Sequence, residues 1–314
     1  IRRPPRSTLD RSSAASDVYK RQVVTELFNK YQVSPVDDYT AQLYKCLSDA
    51  SYSTEKDKTI VILSPGVFNS AYFEHAYLAQ QMGIHLVESS DLILSKDNYV
   101  YMKTISGRKK VDVIYRRIND NYLDPDVWVK DSVLGLPGLI NSWKEKKIAI
   151  VNAPGSGVAD DKAVYAFVPK MIEFFLNEKP KLSQVKTYLC AFKKDKKYVL
   201  DNIERLVLKP VNESGGYGIL IGTTASKKEL NEYKLKIINN PRNFVAQPLI
   251  RLSTSPTIIK SSIQPRHIDL RPFILSGNKT FVTNGGLTRV ALKKGSTIVN
   301  SSQGGGSKDT WIAD

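Results

Sequence analysis

The sequence predicts an α/β fold, and three observations carry that expectation. A short apolar run at residues 59–63 (TIVIL) passes through Ser64-Pro65-Gly66 into a helical pattern over 70–82, and a second apolar run follows at 84–87. This strand–loop–helix–strand unit predicts parallel strands, with ligands expected beyond their carboxyl ends. From Lys186 onward the pattern shifts to strands joined by hairpin-like turns, which adds α+β character. At 314 residues the chain can bury a large core and divide into two or three lobes.

In order, residues 23–32 and 38–50 carry apolar side chains at helical spacing. The helix over 70–82 has Ser70 as its N-cap, Glu74 in its first turns and Gly83 as its stop. Short strands are expected at 92–94, 99–103 and 111–115, the last running into Arg116-Arg117. A helix near 137–146 and a buried strand at 148–151 lead to the break NAPGSG at 152–157, where a domain boundary is placed. The helical stretch over 160–176 contains Pro169, which kinks or splits it. Strands are expected at 205–209, 218–221, 243–247, 267–275, 280–283, 287–291 and 297–300, with one main helix at 226–238. The organisation expected is therefore an N-terminal α/β domain over 23–151 and a second region over 152–314.

Composition excludes several classes. The chain is 41% hydrophobic and 25% charged, as in ordinary globular domains. No apolar stretch approaches the roughly 18–20 residues that cross a bilayer. Two distant cysteines, Cys46 and Cys190, and three histidines support neither a zinc site nor a disulfide framework, and a reducing cytoplasm is the expected compartment. Residues 1–22 (IRRPPRSTLDRSSAASDVYKRQ) lack periodicity and resemble translated cloning or adaptor sequence, so they stand outside the fold argument. A basic arm for nucleic acid is the other reading of that segment. Its six basic and two acidic residues supply +4 of the net +15, leaving +11. No zinc knuckle, aromatic RNA signature or basic helix accompanies this charge, so nucleic acid is not the expected partner. Anionic nucleotides and carboxylates account for part of it.

The chemistry concentrates after Asn152. In residues 205–222 (RLVLKPVNESGGYGILIG) a strand presents Lys209, and a loop with Gly215, Gly216 and Gly218 leads into another strand. Glycines let backbone N–H groups approach phosphate oxygens. A Walker loop would run from strand to helix, whereas this one runs from strand to strand and suits a flap over a triphosphate. A Gly-rich hairpin turn would give the same spacing. Three features argue against the plain turn. Asp161-Lys162-Ala163 opens a helix and adds a second lysine; FVAQPLI at 244–250 suits a hinge whose backbone pairs with adenine; and PRHIDLRPFIL at 265–275 sets His267, Asp269 and Arg271 on one strand face. A structural Asp–Arg pair is the alternative for the last. Further on, Asn300 offers a neutral oxygen to a hard cation, Arg289 and Lys308 can hold a transferring phosphoryl group or its acceptor carboxylate, and QGGGSKD has the composition of an anion nest.

Taken together, DDKAVYAFVP, VLKPVNESGGYGILIG, FVAQPLI, RHIDLRPF and TIVNSSQGGGSKDTW resemble the ATP-grasp superfamily. More closely they resemble its circularly permuted type 2 family, the glutathionylspermidine-synthase-like proteins, over residues 59–312. The resemblance implies a circularly permuted ATP-grasp fold behind an α/β substrate-side domain, with ATP and Mg2+ as cofactors. It matches Lys162 and Lys209 to the two ATP-contacting lysines, Gly215, Gly216, Tyr217 and Gly218 to the flap, and Gln247 to the adenine hinge, where many relatives have an acid. Asn300 matches the metal-binding Asn of an E-x-N element, but the Glu position is Ile298. Asp269 is then the first candidate metal carboxylate, with Glu213 and Asp309 behind it. Arg271, Arg289 and Lys308 are the candidate catalytic cations.

Upstream, Asn69, Tyr72, Glu74 and His75 follow strand 59–63, and Arg116 and Arg117 follow another strand; these are the candidate substrate residues. Alternation along a strand sends only one of the two arginines toward a pocket; helix packing is an equal reading of Tyr72, and a structural role is the first reading of His75. The implied activity is carboxylate–amine ligation through an acyl phosphate. A nucleotide-binding regulatory or assembly module is the alternative, favoured by Ile298. Small-molecule or peptide carboxylates and amines are the implied substrates. An α-helical partner domain and a transglutaminase-like protein are partners implied by family association alone.

Overall fold

The computed structural model describes residues 22–213, 218–297, 299 and 304–313. The expectations for residues 1–21, Gly215, Gly216, Tyr217, Ile298 and Asn300 lie outside the described residues. In chain order the elements are α1 (Thr25–Lys30), α2 (Tyr39–Asp49), β1 (Ile60–Leu63), α3 (Tyr72–Met82), β2 (His85–Val87), β3 (Leu92–Leu94), β4 (Val100–Thr104) and β5 (Gly107–Lys110). Next come β6 (Val113–Arg116), α4 (Asp120–Leu123), α5 (Leu139–Lys144), β7 (Ala149–Val151), α6 (Lys162–Tyr165), α7 (Val168–Leu176), β8 (Tyr188–Leu189) and α8 (Lys193–Asp201). The last are β9 (Leu206–Pro210), β10 (Leu220–Ile221), α9 (Lys227–Asn239), β11 (Phe244–Pro248), β12 (Thr254–Ile259), β13 (Ser262–Ser276), β14 (Thr280–Val290) and β15 (Gly306–Trp311).

These elements form two compact units, one of the described residues up to 155 together with those from 253 onward, the other of residues 156–252. The first division follows residue 155. The second, between 252 and 253, has no counterpart in the expected regions. Its basis is long-range packing: Phe28 and Trp311 rings lie 4.6 Å apart, Tyr39 and Phe273 rings 5.9 Å, and Val33 bridges Ala313.

In the larger unit, β2-β1-β6-β7 form an all-parallel sheet. Each face of β1 is covered, which is why it reads as a continuous apolar run. Val61 and Leu63 join Ile114, Ile150, Leu139 and Met102 in one cluster, while Ile60 and Ile62 join Val113, Leu43, Leu47 and Leu78 in another. The antiparallel sheet β3-β4-β5 supplies Leu92, Val100 and Met102 to the first cluster. Its edge strand β5 (GRKK) escapes the sequence reading, because a polar, exposed edge carries no apolar alternation. The unit's remaining strands form the antiparallel sheet β12-β13-β14-β15.

The smaller unit is built on the antiparallel sheet β10-β9-β11-β8. Leu206, Leu208 and Ala246 on one face pack with Leu230, Tyr233 and Ile237 of α9; on the other, Val245, Leu189 and Val211 pack with Ala163 and Ala166. Pro169 splits the expected helix into α6 and α7, sitting in the first turn of α7 where no N–H is needed. The lysine run FKKDKK belongs to helix α8, whose Val199 is fully buried.

Candidate nucleotide site

In the smaller unit, local chemistry fixes both lysines. Asp161 is the N-cap of α6, its Oδ1 accepting the Ala163 N–H at 2.7 Å, so Lys162 is the first helical residue. The Lys162 N–H donates to Val211 O at 3.2 Å, which ties the helix start to the chain leaving β9. Its ammonium donates to Glu213 O and, at 3.5 Å, to Val211 O. Lys209 lies on β9 opposite Val245 and donates to Gln247 Oε1 at 2.7 Å. Burial, and then the neighbouring Lys162 charge, push the Lys209 ammonium below the ordinary lysine range. Among the described residues neither lysine has a carboxylate within ion-pair reach, and both are satisfied by neutral oxygens. Two converging cations with neutral partners attract an anion.

The loop after Lys209 is anchored where it is described. Gly218 takes φ +69°, a left-handed value, and its carbonyl accepts the Tyr233 hydroxyl at 2.7 Å. Gly222 passes so close to the chain that an added Cβ would lie 2.0 Å from Ile203 O. Sequence reasoning missed Tyr233 and also Thr187, which accepts a Gln247 amide hydrogen at 2.8 Å. Tyr233 reads only as an apolar helix position, and no pattern links Thr187 to a residue 60 positions away.

In the larger unit, β13 and β14 bring Asp269 opposite Arg289, and Arg271 donates to Asp269 Oδ2 at 3.1 and 3.3 Å. Asp269 Oδ1 is buried and, among the described residues, accepts no hydrogen bond. Lys308 pairs with Thr288 across the ladder and its ammonium reaches Ser255 Oγ at 3.1 Å and Pro256 O. The Gly306–Asp309 portion of QGGGSKD is not the anion nest expected of it but part of β15, where the backbone pairs with β14. His267 pairs with Thr254 of β12, and its backbone carbonyl accepts from Ala291.

The upstream candidates separate. Arg117 forms a 2.6 Å ion pair with Glu74 and donates to the Tyr115 hydroxyl at 3.1 Å. Arg116 turns elsewhere, to Asp120 at 2.7 Å and to the carbonyls of Asn152, Ile118 and Ala153. Its guanidinium thereby braces the chain after β7. His75 is buried against Ser64, so it supports the loop after β1 from beneath. Asn69 Oδ1 accepts the Ala71 N–H at 2.9 Å in an Asx-type turn that precedes α3.

The family model for circularly permuted ATP-grasp type 2 matches residues 15–291. The chain is 50% identical over 288 residues to an uncharacterized protein of Synechocystis, covering 91% of this chain and 60% of that one. It is 42% identical over 291 residues to the "Putative glutamate--cysteine ligase 2-2" of Frankia casuarinae, covering 92% of this chain and 34% of that one. The chain thus spans only part of these relatives. A glutathione synthetase-like effector from Globodera pallida matches in structure with a TM-score of 0.45 and 12% identity, over 82% of this chain and 58% of that one. Among the described residues no helix is long and apolar enough to cross a membrane. On the match over residues 15–291, the chain belongs to the circularly permuted ATP-grasp type 2 family.

Proposed function

We propose that this protein is an ATP-dependent ligase that joins a carboxylate to an amine, with ADP and phosphate as co-products. The observation that carries the reading is the convergence of Lys162 and Lys209 on neutral partners, with the Lys209 ammonium destabilised until an anion arrives. In this reading the two lysines hold the triphosphate, and Gln247 faces the base.

A carboxylate is a poor electrophile, so the substrate oxygen attacks the γ-phosphorus and the bond to the ADP oxygen breaks. The amine nitrogen then attacks the carbonyl carbon of the acyl phosphate. Inorganic phosphate leaves with the C–O electron pair, and the amine proton passes to solvent. Positioning and charge stabilisation carry such a reaction; Arg271, Arg289 and Lys308 are the cations assigned to the transferring phosphoryl group. The unbonded, buried Asp269 Oδ1 fits a magnesium ligand, because magnesium is held by one or two carboxylates plus substrate phosphates. Asp269 and Asn300 would hold it, and bound there it would neutralise phosphate charge. Glu74 and Arg117 stand as the substrate-side pair, Arg117 for a carboxylate and Glu74 for an ammonium group.

The Frankia relative's name speaks of joining glutamate to cysteine, and an amino-acid carboxylate is a fitting first substrate to try. This chain matches about a third of that protein, so the name can equally describe the remainder. The family-associated helical domain and transglutaminase-like protein remain proposed partners only. The deciding experiment incubates the full chain with ATP, Mg2+ and pooled amino acids and peptides, with and without hydroxylamine. Amine-dependent ADP release and hydroxamate formation support the ligase. ATP binding without either supports the second reading, a nucleotide-binding module, which Ile298 at the Glu position of the metal motif favours.

A further inference from the structure

We infer that Thr187 is a specificity-determining residue for the nucleobase, setting the Gln247 side-chain amide so that the site accepts a 6-amino purine and rejects a 6-oxo purine. The inference rests on the proposed nucleotide reading, in which the base lies against Gln247.

A single chain of contacts within residues 185–247 fixes the direction of each hydrogen bond. At one end the Lys209 ammonium is a donor only, so the Gln247 atom it meets at 2.7 Å must be the carbonyl oxygen. The Gln247 amide nitrogen is then turned to Thr187 Oγ1, 2.8 Å away. At the other end the Thr187 hydroxyl donates its only hydrogen to Val185 O at 3.1 Å, an oxygen that can do nothing but accept. Thr187 therefore offers Gln247 a lone pair and no hydrogen. A glutamine amide is otherwise free to turn over and exchange its donor and acceptor ends. Here a donor-only group and a hydroxyl with a committed hydrogen select the same orientation.

Gln247 Oε1 has two lone pairs, and Lys209 uses one. The second can accept from the exocyclic amine of adenine, whose 6-position is a donor. A 6-oxo purine presents an acceptor at that place, and oxygen would meet oxygen. Turning the amide over to suit the 6-oxo base would set an NH2 against the Lys209 ammonium and a carbonyl against the Thr187 lone pair, leaving both unsatisfied. An acid at this position needs no such pin, because both of its oxygens accept. A glutamine does, and Thr187 supplies it.

The test measures ATP and ITP affinity by calorimetry on the full chain and on Thr187→Val and Thr187→Ser. ITP carries the 6-oxo group without the 2-amino group of guanine. The unaltered chain is expected to prefer ATP, T187V to narrow that preference by about fivefold, the worth of roughly one net hydrogen bond, and T187S to restore it. In a Gln247→Glu background T187V should leave the ratio unchanged. Equal loss of both nucleotides in T187V, or a narrowed ratio that persists in Q247E, overturns the inference and leaves Thr187 a structural residue. Should T187V not fold, purine riboside triphosphate, with hydrogen at position 6, decides on the unaltered chain: it must bind between ATP and ITP, and ITP binding as tightly as this analogue overturns the pin. If the unaltered chain binds no ATP at all, the nucleotide reading itself fails, a result distinct from binding ATP and ITP alike.

Discussion

His75 Nδ1 lies 3.0 Å from Ser64 Oγ, with both residues 1% exposed, at the point where β1 gives way to the loop before α3. Burial, and then the Arg117 charge, pull the imidazole down to about 4, so it is neutral at pH 7. In the unfolded chain it titrates near 6.5. Below that value the unfolded state takes up a proton that the folded state refuses, so stability is full above about pH 6.5 and declines as the pH falls toward 4. The contribution is at most about 3 kcal/mol. Urea unfolding from pH 4 to 8 should show this slope, and His75→Asn, neutral throughout, should lack it. Parallel curves for the two proteins would refute the assignment.

Lys209→Met separates stability from function. The ammonium is held where burial and Lys162 disfavour its charge, so an isosteric apolar side chain should leave the thermal midpoint unchanged or raise it. ATP affinity should fall roughly 10- to 100-fold, the range for losing a hydrogen bond to a charged group. Calorimetry with ATP and a thermal melt check both halves. A melt lowered by many degrees would mean that Lys209 serves the fold instead.

Legibility in the sequence followed the range of the forces involved. Strand β1 and helix α3 were readable because apolar periodicity and the stop at Gly83, φ +65°, are local. The places of Lys162 at a helix start and of Lys209 on a strand are legible because a cap residue and an apolar strand before a glycine-rich stretch mark them. Polar strands β5 and β15 were not, since register with a neighbour makes them strands and their own side chains do not. The same holds for Thr187, whose partner Gln247 is 60 residues away. For Arg116 position along the chain suggests a pocket, and only the fold shows its contacts with the carbonyls of Asn152 and Ala153; for His75 burial against Ser64 agrees with the structural reading.

Asp124 is a carboxylate that the fold spends on backbone N–H groups. It is fully buried, its Oδ1 accepting from Asp126 N at 2.9 Å and Gly138 N at 3.1 Å, and its Oδ2 from Ile140 N at 2.8 Å. It thereby caps the approach to α5. Asp124→Asn sets an NH2 against one of these donors and should cost about 2–3 kcal/mol, read as a lower urea midpoint at unchanged slope. ATP affinity of the folded fraction should stay the same.

Gly222 closes the motif that begins at Arg205, and its requirement is steric. A Cβ there would stand 2.0 Å from Ile203 O and 2.9 Å from Leu206 O, both backbone atoms that cannot swing aside. The Gly222 N–H also donates to Leu206 O at 2.8 Å, so the chain cannot back away without losing the bond that extends the β9–β10 pairing. Gly222→Ala must therefore push the turn after β10 off β9, and overpacking against fixed atoms costs about 1–3 kcal/mol or more. Gly295, with φ +75° and nothing within 4 Å of its added Cβ, provides the contrast. Gly295→Ala meets only the backbone strain of a left-handed residue, about 1 kcal/mol. Limited proteolysis with mass mapping should show cleavage near residues 203–224 appearing in G222A and not in G295A. Equal resistance of the two variants would mean that β9 and β10 tolerate separation and that the glycine serves the loop alone.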